Sequence, residues 1–507
     1  MSLEDIRNER IKKLELLKEK GIDPYPASAT RDFLISEVLK DFTKLSKKKK
    51  TSKKKTFHLT GRIMAIREHG GSIFFDINDG STSLTTGCSG QMQAYIKKDE
   101  IGDDQFSLFK EIIDLGDFVE LKGSFFVTKK KEKTLKVSHW KMLSKSLRPL
   151  PTQWYGLKDT EERFRKRYLD MIFNENVRKT FIKRTEIIKA SREFFEKKGY
   201  LEVETPILQP IYGGGLARPF KTHHNALDIP LYLRISDELY LKRLIIGGFD
   251  KIYEICRDFR NEGIDHFHNP EFTLLEPMTA YKDYNFTMNL IEEFYEFVVK
   301  KVNGNKKLKY KNIVLDFKRP WQRISMKKIV LQKTGFNFDN IIDLSDAKFK
   351  AKRLGISDEK AEEMMSIGEI MNLIFEENVQ PGLIQPTIIY DYPVEISPLA
   401  KRSLKDPRFV ERFEQFIWGQ EHGNNYSELN DPIDLKTRFI EESKKKKTGS
   451  EEAHQTDEDF LEAIEYGMPP VTGGGISIDR LVMLLTGNDN IRDVIMFPTL
   501  RPKNNDF

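Results

Sequence analysis

Two cysteines in 507 residues, Cys88 and Cys256, are too few for a disulfide scaffold or a four-cysteine zinc site, and they point to a reducing compartment. No apolar run approaches the ~20 residues that cross a bilayer. The first residues, MSLEDIRNERIKKLELLKEKG, are charged, helical in period and without an apolar signal core, so the chain is expected to stay in the cytoplasm and away from membranes. No strand runs into a glycine-rich phosphate loop, and helices and strands do not alternate regularly. Both absences argue against a doubly wound nucleotide fold. No internal repeat is present.

Charge is plentiful but unevenly placed. The chain holds 84 Lys/Arg against 78 Asp/Glu, a surplus of only six. Residues 1–149 hold 30 against 21, and the rest 54 against 57. The first third therefore carries the positive charge, eight of its lysines lying within 44–55, a basic linker by composition. A polyanion partner and a merely solvated lysine tail both fit that arithmetic.

Leu3, Ile6, Ile11, Leu14 and Leu17 recur at helical spacing over residues 3–20, and Gly21-Ile22-Asp23-Pro24 stops the helix. From His58, five short β-branched or aromatic segments follow, HLTGRIMAIREH to LKVSHWKML, with a helical DQFSLFKEIIDLGD before the fourth. That order favours a five-stranded OB-fold barrel over a generic small β-domain. The proline-punctuated LRPLPTQWYG reads as a linker, and the rest, about 350 residues, as α+β on an antiparallel sheet. The expected organisation is a basic N-terminal helix and Lys-rich linker over 1–56, an OB-fold over 57–146, a linker over 147–165 and a large domain over 166–507. A helical insertion is expected near 326–380, and a low-complexity surface loop over 444–459.

Three separated segments carry candidate chemistry. In FIKRTEIIKASREFFEKKGYLEVETPIL (181–208), Ile187, Ile188, Ser191, Phe194 and Phe195 line one helical face, and a strand closes at Pro206. In YEICRDFRNEGIDHFHNPEFTLLE (253–276), an alternating strand leads to Arg260 and Glu262, two apart and so on one side if the strand continues. An arginine there suits a carboxylate or a phosphate. In GGGISIDRLVMLL (473–485), three glycines precede a helix that starts near Asp479-Arg480.

Together these segments resemble the three signature motifs of class II aminoacyl-tRNA synthetases. GGGLARPFKTHHNALD, YLRISDELYLKRL, RNEGIDHFHNPEF, YPVEISPLAK and GNNYSELNDP sharpen the resemblance to the lysyl-tRNA synthetase branch of that family. The aspartyl and asparaginyl relatives share the barrel and motifs but not the SDELYLKRL and SELNDP strings.

The resemblance implies ATP-dependent attachment of L-lysine to tRNA(Lys), through a lysyl-adenylate, by a homodimeric enzyme that uses Mg²⁺. Arg260 would bridge the lysine carboxylate and the α-phosphate, with Glu262 and Asn261 in the same ATP-contacting unit. His268 and Asn269 would meet the nucleotide, Phe272 would stack on adenine, and Arg480, beside Asp479, would reach the γ-phosphate; Arg260, Glu262 and Arg480 form the implied catalytic set. Glu414 and Glu421 match the magnesium carboxylates. Seven apart, they share a face if that stretch is helical or extended over the site. Glu428 matches the anion for the ε-ammonium, Glu238 and the Gly214 backbone the α-amino site, and Glu276 and Asn424 the rest of the lysine pocket. In the barrel, Arg67, Phe74 and Gln93 match anticodon contacts, Phe74 by stacking. Its spacing also permits a core role, since Phe75 must face oppositely.

Three departures matter. Met278 stands where the family has a tyrosine that helps hold the ε-ammonium, so weaker lysine binding or a substitute donor nearby is expected. Asn425-Tyr426 replaces a common Gly-Phe pair, and Thr134 a usual glutamate. KMLSKS (141–146) imitates a loop of the other synthetase class, without the partner HIGH string. Asp265, His266, His268 and His223-His224 lack a common zinc spacing.

Overall fold

The computed structural model describes residues 2–46, 55–82, 89–151, 159–215, 217–447 and 457–503. The chain forms two compact units, Met1–Lys179 and Thr180–Phe507. Most of the lysine run, residues 47–54, and the middle of the expected linker, 152–158, lie outside the described residues.

In the first unit, strands β1 (Phe57–His69), β2 (Ser72–Thr82), β3 (Ser89–Lys97), β4 (Phe118–Val127) and β5 (Lys133–Ser144) close a barrel in the order β1-β2-β3-β5-β4. Alternation sends Leu59, Ile63, Ile73, Phe75, Ile77, Leu121 and Val137 inward. Two N-terminal helices, α1 (Leu3–Glu19) and α2 (Ile35–Ser46), add Leu17, Ile35, Val38 and Phe42 to the same core. A capping box starts α1, with Ser2 Oγ accepting from Asp5 N and Asp5 accepting from Ser2 N. Helix α3 (Asp103–Ile112) separates β3 from β4 and plugs the barrel with Phe106, Phe109 and Ile112. The buried Lys145 of KMLSKS pairs with Asp114 and Asp117, so that string is a structural ion pair at the end of β5.

The second unit is built on an eight-stranded, mainly antiparallel sheet. Its strands are β6 (Leu201–Glu202), β7 (Lys251–Phe259), β8 (Glu271–Ala280), β9 (Gln322–Ser325), β10 (Thr387–Pro393), β11 (Phe409–Ile417), β12 (Gln420–Ser427) and β13 (Val471–Ser477). Their spatial order is β9-β10-β11-β12-β13-β8-β7-β6, with only the outer pairs β6/β7 and β9/β10 parallel. Helices α4 (Glu175–Lys197) and α6 (Tyr284–Asn303) bury Ile187, Phe194, Phe195, Ile291, Phe294 and Val298 against one side. Helix α5 (Glu238–Ile246) packs with the short helices of residues 326–378 into a second core. Helix α7 (Ile478–Thr486) follows β13 directly, Ser477 Oγ capping it through Arg480 N. The expected loop over 444–459 is shorter: the helix Pro432–Lys447 runs into it, and Asp457 caps the helix Glu458–Glu465.

Candidate active site

The sheet face between α5 and α7 opens into a cavity of about 860 Å³. Gly214, Glu238, Arg260, Glu262, His268, Asn269, Phe272, Glu276, Glu414, Glu421, Asn424 and Arg480 all line it. Asn261, Asp479 and Glu428 do not. The backbone explains the convergence. Gly214, at φ 83, brings the chain where a Cβ would lie 2.8 Å from Ser236 Oγ. Gly474, at φ 146, lies where a Cβ would meet the Asn424 carbonyl oxygen at 2.3 Å.

Two geometric expectations are corrected. Strand β7 ends at Phe259, so alternation does not relate Arg260 to Glu262. A returning loop does: Arg260 N donates to Pro270 O at 2.9 Å and Glu262 N to Arg260 O at 2.9 Å. Glu414 and Glu421 lie not on one helical face but on the two arms of the β11–β12 hairpin, whose register shifts between Gln415 and Phe416. The bulge changes which side chains share a side of the hairpin.

At one end of the cavity Arg260 lies over the Phe272 ring, 5.0 Å from its centroid. Arg480 donates from Nη1 to the Glu421 carbonyl, with Glu421 Oε2 3.3 Å away, and its Nη2 lies 3.3 Å from His268 Nε2. His268 Nδ1 is 2.7 Å from Asp265 Oδ2. Asp479 turns away from the cavity and anchors α7. Its Oδ1 accepts from Arg184 Nη1 at 2.6 Å and its Oδ2 from Thr273 N at 2.7 Å. Burial, opposed by Arg412 and reinforced by Glu421, pushes Glu414 up to about 7. Tyr392 Oη donates to Glu414 Oε2 at 2.8 Å, and Arg412 Nη2 pairs with Oε1. Burial holds His422 down to about 3, hence neutral.

At the other end, the carboxylates of Glu238, Glu276 and Glu428 are all buried. Sequence reasoning missed their internal partner. Lys242, one turn along α5 from Glu238, bridges Glu238 Oε1 and Glu428 Oε2, the latter at 2.6 Å. Burial alone would lower its ammonium, but the two carboxylates raise it. Burial, relieved by Lys242, sets Glu428 at about 8. Burial and then Asp237 raise Glu276 well above the carboxylate range. Met278 is fully buried in the core, and Tyr426 lines the cavity, where burial and then the neighbouring Glu238 push its hydroxyl up.

On the barrel, Phe75 is fully buried and Phe74 faces outward, so the core position of the pair is Phe75. Phe74 is one rung of an aromatic row missed from sequence: its ring centroid is 4.6 Å from Tyr95, itself 6.1 Å from Phe126. Arg67 Nη2 donates to Asp76 Oδ1 at 3.1 Å, and Gln93 Oε1 accepts from the buried Thr134 hydroxyl at 2.9 Å. That leaves the Gln93 amide nitrogen as its donor at this face.

Residues 159–501 match the family model for tRNA synthetases class II (D, K and N), and residues 57–143 that for an OB-fold nucleic acid binding domain. Among curated relatives, the lysine–tRNA ligase of Carboxydothermus hydrogenoformans is 49% identical over 99% of both chains. That of Syntrophomonas wolfei is 47% identical over 100% of this chain and 99% of its own. That of Staphylococcus saprophyticus is 46% identical over 97% and 98%.

Proposed function

Because the chain belongs to the class II lysine–tRNA ligase family, we propose that it activates L-lysine with ATP and transfers the lysyl group to tRNA(Lys). The observation that carries this reading is one cavity with arginines at one end and buried carboxylates at the other. Arginines suit the phosphates and carboxylate that react; carboxylates suit the two amino groups of lysine.

In the first step the lysine carboxylate oxygen attacks the α-phosphorus and pyrophosphate leaves. Arg260 holds both reacting anions, and Arg480 holds the departing phosphates. Catalysis here is positioning and charge neutralisation. Glu262 and the His268–Asn269 turn frame the nucleotide, and Phe272 supplies its stacking face. In the second step the terminal ribose hydroxyl of the tRNA takes the lysyl group from the adenylate. Glu238, Glu276 and Asn424 orient lysine, and Glu428 with Lys242 sets the field beneath the ε-ammonium. An uncharged competitor would leave that acidic end unpaired.

Glu414 and Glu421 offer the oxygen donors that Mg²⁺ prefers, and Glu421 keeps a side chain 38% exposed toward the cavity. They fit a magnesium site, and the ion, when bound, would neutralise phosphate charge. The outer face of the barrel, with Arg67, Phe74 and Gln93, would read the anticodon. Leu201, Ile207, Leu208 and Leu227 are 43–64% exposed beside the first motif, which supports a homodimer through that face. No helix among the described residues is long and apolar enough to cross a membrane, which is consistent with a cytoplasmic enzyme.

The test is amino-acid-dependent ATP–pyrophosphate exchange with lysine, aspartate and asparagine. Exchange with lysine alone is expected; none with lysine would sink the reading.

A further inference from the structure

Strand β7 presents Cys256 and Asp258, two residues apart, to the start of α5, where Asp237 immediately precedes Glu238. Ligand atoms of Asp237, Cys256 and Asp258 all lie within 4.8 Å of one another, and no other such trio involving three potential ligands occurs among the described residues. The side chains are 0%, 2% and 0% exposed. None of the three belongs to the ATP, lysine or magnesium set above.

The trio lacks the partners that buried polar groups require. Neither carboxylate oxygen of Asp237 or Asp258 has a hydrogen bond of normal geometry. The side chains that face Asp237 at hydrogen-bond range, Glu276 and Cys256, are themselves acids. Two cations lie near: Arg260 acts on Asp258 through charge alone, and Arg234 is committed elsewhere. Its Nη1 donates to Glu254 Oε1 at 2.8 Å and to Thr205 Oγ1 at 3.0 Å, and its Nε donates to Arg257 O at 2.9 Å. That Nε passes 3.2 Å from Asp258 Oδ1 as an ion pair, but its single hydrogen goes to the carbonyl. Arg234 thus answers Glu254, while Asp237 and Asp258 converge on a thiol, and only the protons of Glu276 and of that thiol, both acids, are on hand for Asp237.

We propose that Asp237, Cys256 and Asp258 bind one zinc-class divalent ion, a second metal site distinct from the Glu414/Glu421 pair. The donor set selects the ion. Magnesium and calcium take oxygen alone, whereas one thiolate with carboxylates suits a borderline ion that accepts four close ligands. Binding is ligand exchange without redox: the metal–sulfur bond forms as the Cys256 thiol proton, with any proton held by the carboxylates, leaves to solvent. The ion would tie the start of α5 to the end of β7. It thereby positions Glu238, next to Asp237, and Arg260, two residues beyond Asp258, without touching substrate.

The test uses the full chain, stripped with a chelator and kept in excess Mg²⁺ so that Glu414 and Glu421 are not competing for the probe. Zinc and cobalt(II) are titrated into the wild type, Cys88→Ser, Cys256→Ala and Asp258→Asn. Expected are one zinc per chain, a thiolate-to-cobalt charge-transfer band that survives Cys88→Ser and vanishes in Cys256→Ala, and affinity lowered about 100-fold or more in Asp258→Asn. Zinc should also raise the thermal midpoint of the wild type and not that of Cys256→Ala. If Cys256→Ala does not fold, the cobalt spectrum of the wild type and the Asp258→Asn titration decide. No zinc uptake by the wild type, a cobalt spectrum without sulfur character, or unchanged affinity in Asp258→Asn would overturn the proposal.

Discussion

Tyr426 and Met278 both pair with Gly473 of β13, one from β12 and the other from β8. The three positions form one row across three strands, and the glycine between them leaves the row's centre without a side chain. A hydroxyl missing at 278 can therefore be supplied across the sheet from 426, where it reaches Glu238. Tyr426→Phe removes only that hydroxyl. A hydroxyl's hydrogen bond to an ionisable group is worth about 1.5 kcal/mol, so KM for lysine should rise roughly tenfold while KM for ATP stays put. An unchanged lysine KM would return Tyr426 to packing. Glu428 gives a second expectation. Its carboxyl is pushed up to about 8 by burial, so ionisation as pH rises strengthens the attraction for an ammonium. KM for lysine should fall about five- to tenfold between pH 7 and 8.5, and Glu428→Gln should flatten that profile. A rise in KM over the same interval would refute the assignment.

Helix α7 is held to the sheet at its first turn by a strut that starts on α4. Arg184 donates to Asp479 Oδ1, Val494 O and Thr273 Oγ1, and Asp479 in turn accepts from Thr273 N on β8. Both side chains are nearly buried, so removing one leaves the other as an uncompensated charge. Asp479→Ala should lower unfolding free energy by about 3 kcal/mol or more and reduce kcat by loosening Arg480. The double variant Arg184→Met/Asp479→Leu should be less destabilised than the sum of its singles, as chemical denaturation would read. Additive losses would mean the strut is not one unit. How much was legible follows from which elements obey a period. The barrel strands and α4 do, so Phe194 could be placed on a face from spacing, while for Phe74 and Phe75 the period fixed only that they face oppositely, not which one is buried. The Glu414/Glu421 hairpin does not, because its bulge shifts the register and no local pattern announces it. Lys242 was unreadable for another reason: a lysine one turn from a glutamate reads as a surface pair, and only β12 arriving with Glu428 makes it a buried bridge.

Across the whole chain, the surplus of nine positive charges in residues 1–149 coexists with a deficit of three in the rest. The two signs match two tasks, a polyanion for the barrel side and an amino acid carrying two ammonium groups for the carboxylates of the large unit. Truncating residues 1–56 would not isolate the lysine run. Leu17, Ile35, Val38 and Phe42 belong to the barrel core, and buried Arg10 bonds the carbonyls of Leu115, Ser146 and Arg148. Removing them would expose that core and confound charge with stability. Substitution is the cleaner operation: Lys47, Lys48, Lys49, Lys50, Lys53, Lys54 and Lys55 to serine, leaving α1 and α2 intact. If these lysines meet tRNA phosphates, each contact contributes roughly 0.7–0.9 to the slope of log affinity against log salt. The variant should therefore bind tRNA(Lys) more weakly at low salt, with a slope shallower by about two or more units, and approach the wild type at high salt. Lysine-dependent ATP–pyrophosphate exchange should be unaltered, since that step proceeds without tRNA. Identical slopes would reduce the run to a solvated tail and leave recognition to the aromatic row and its neighbours on the barrel.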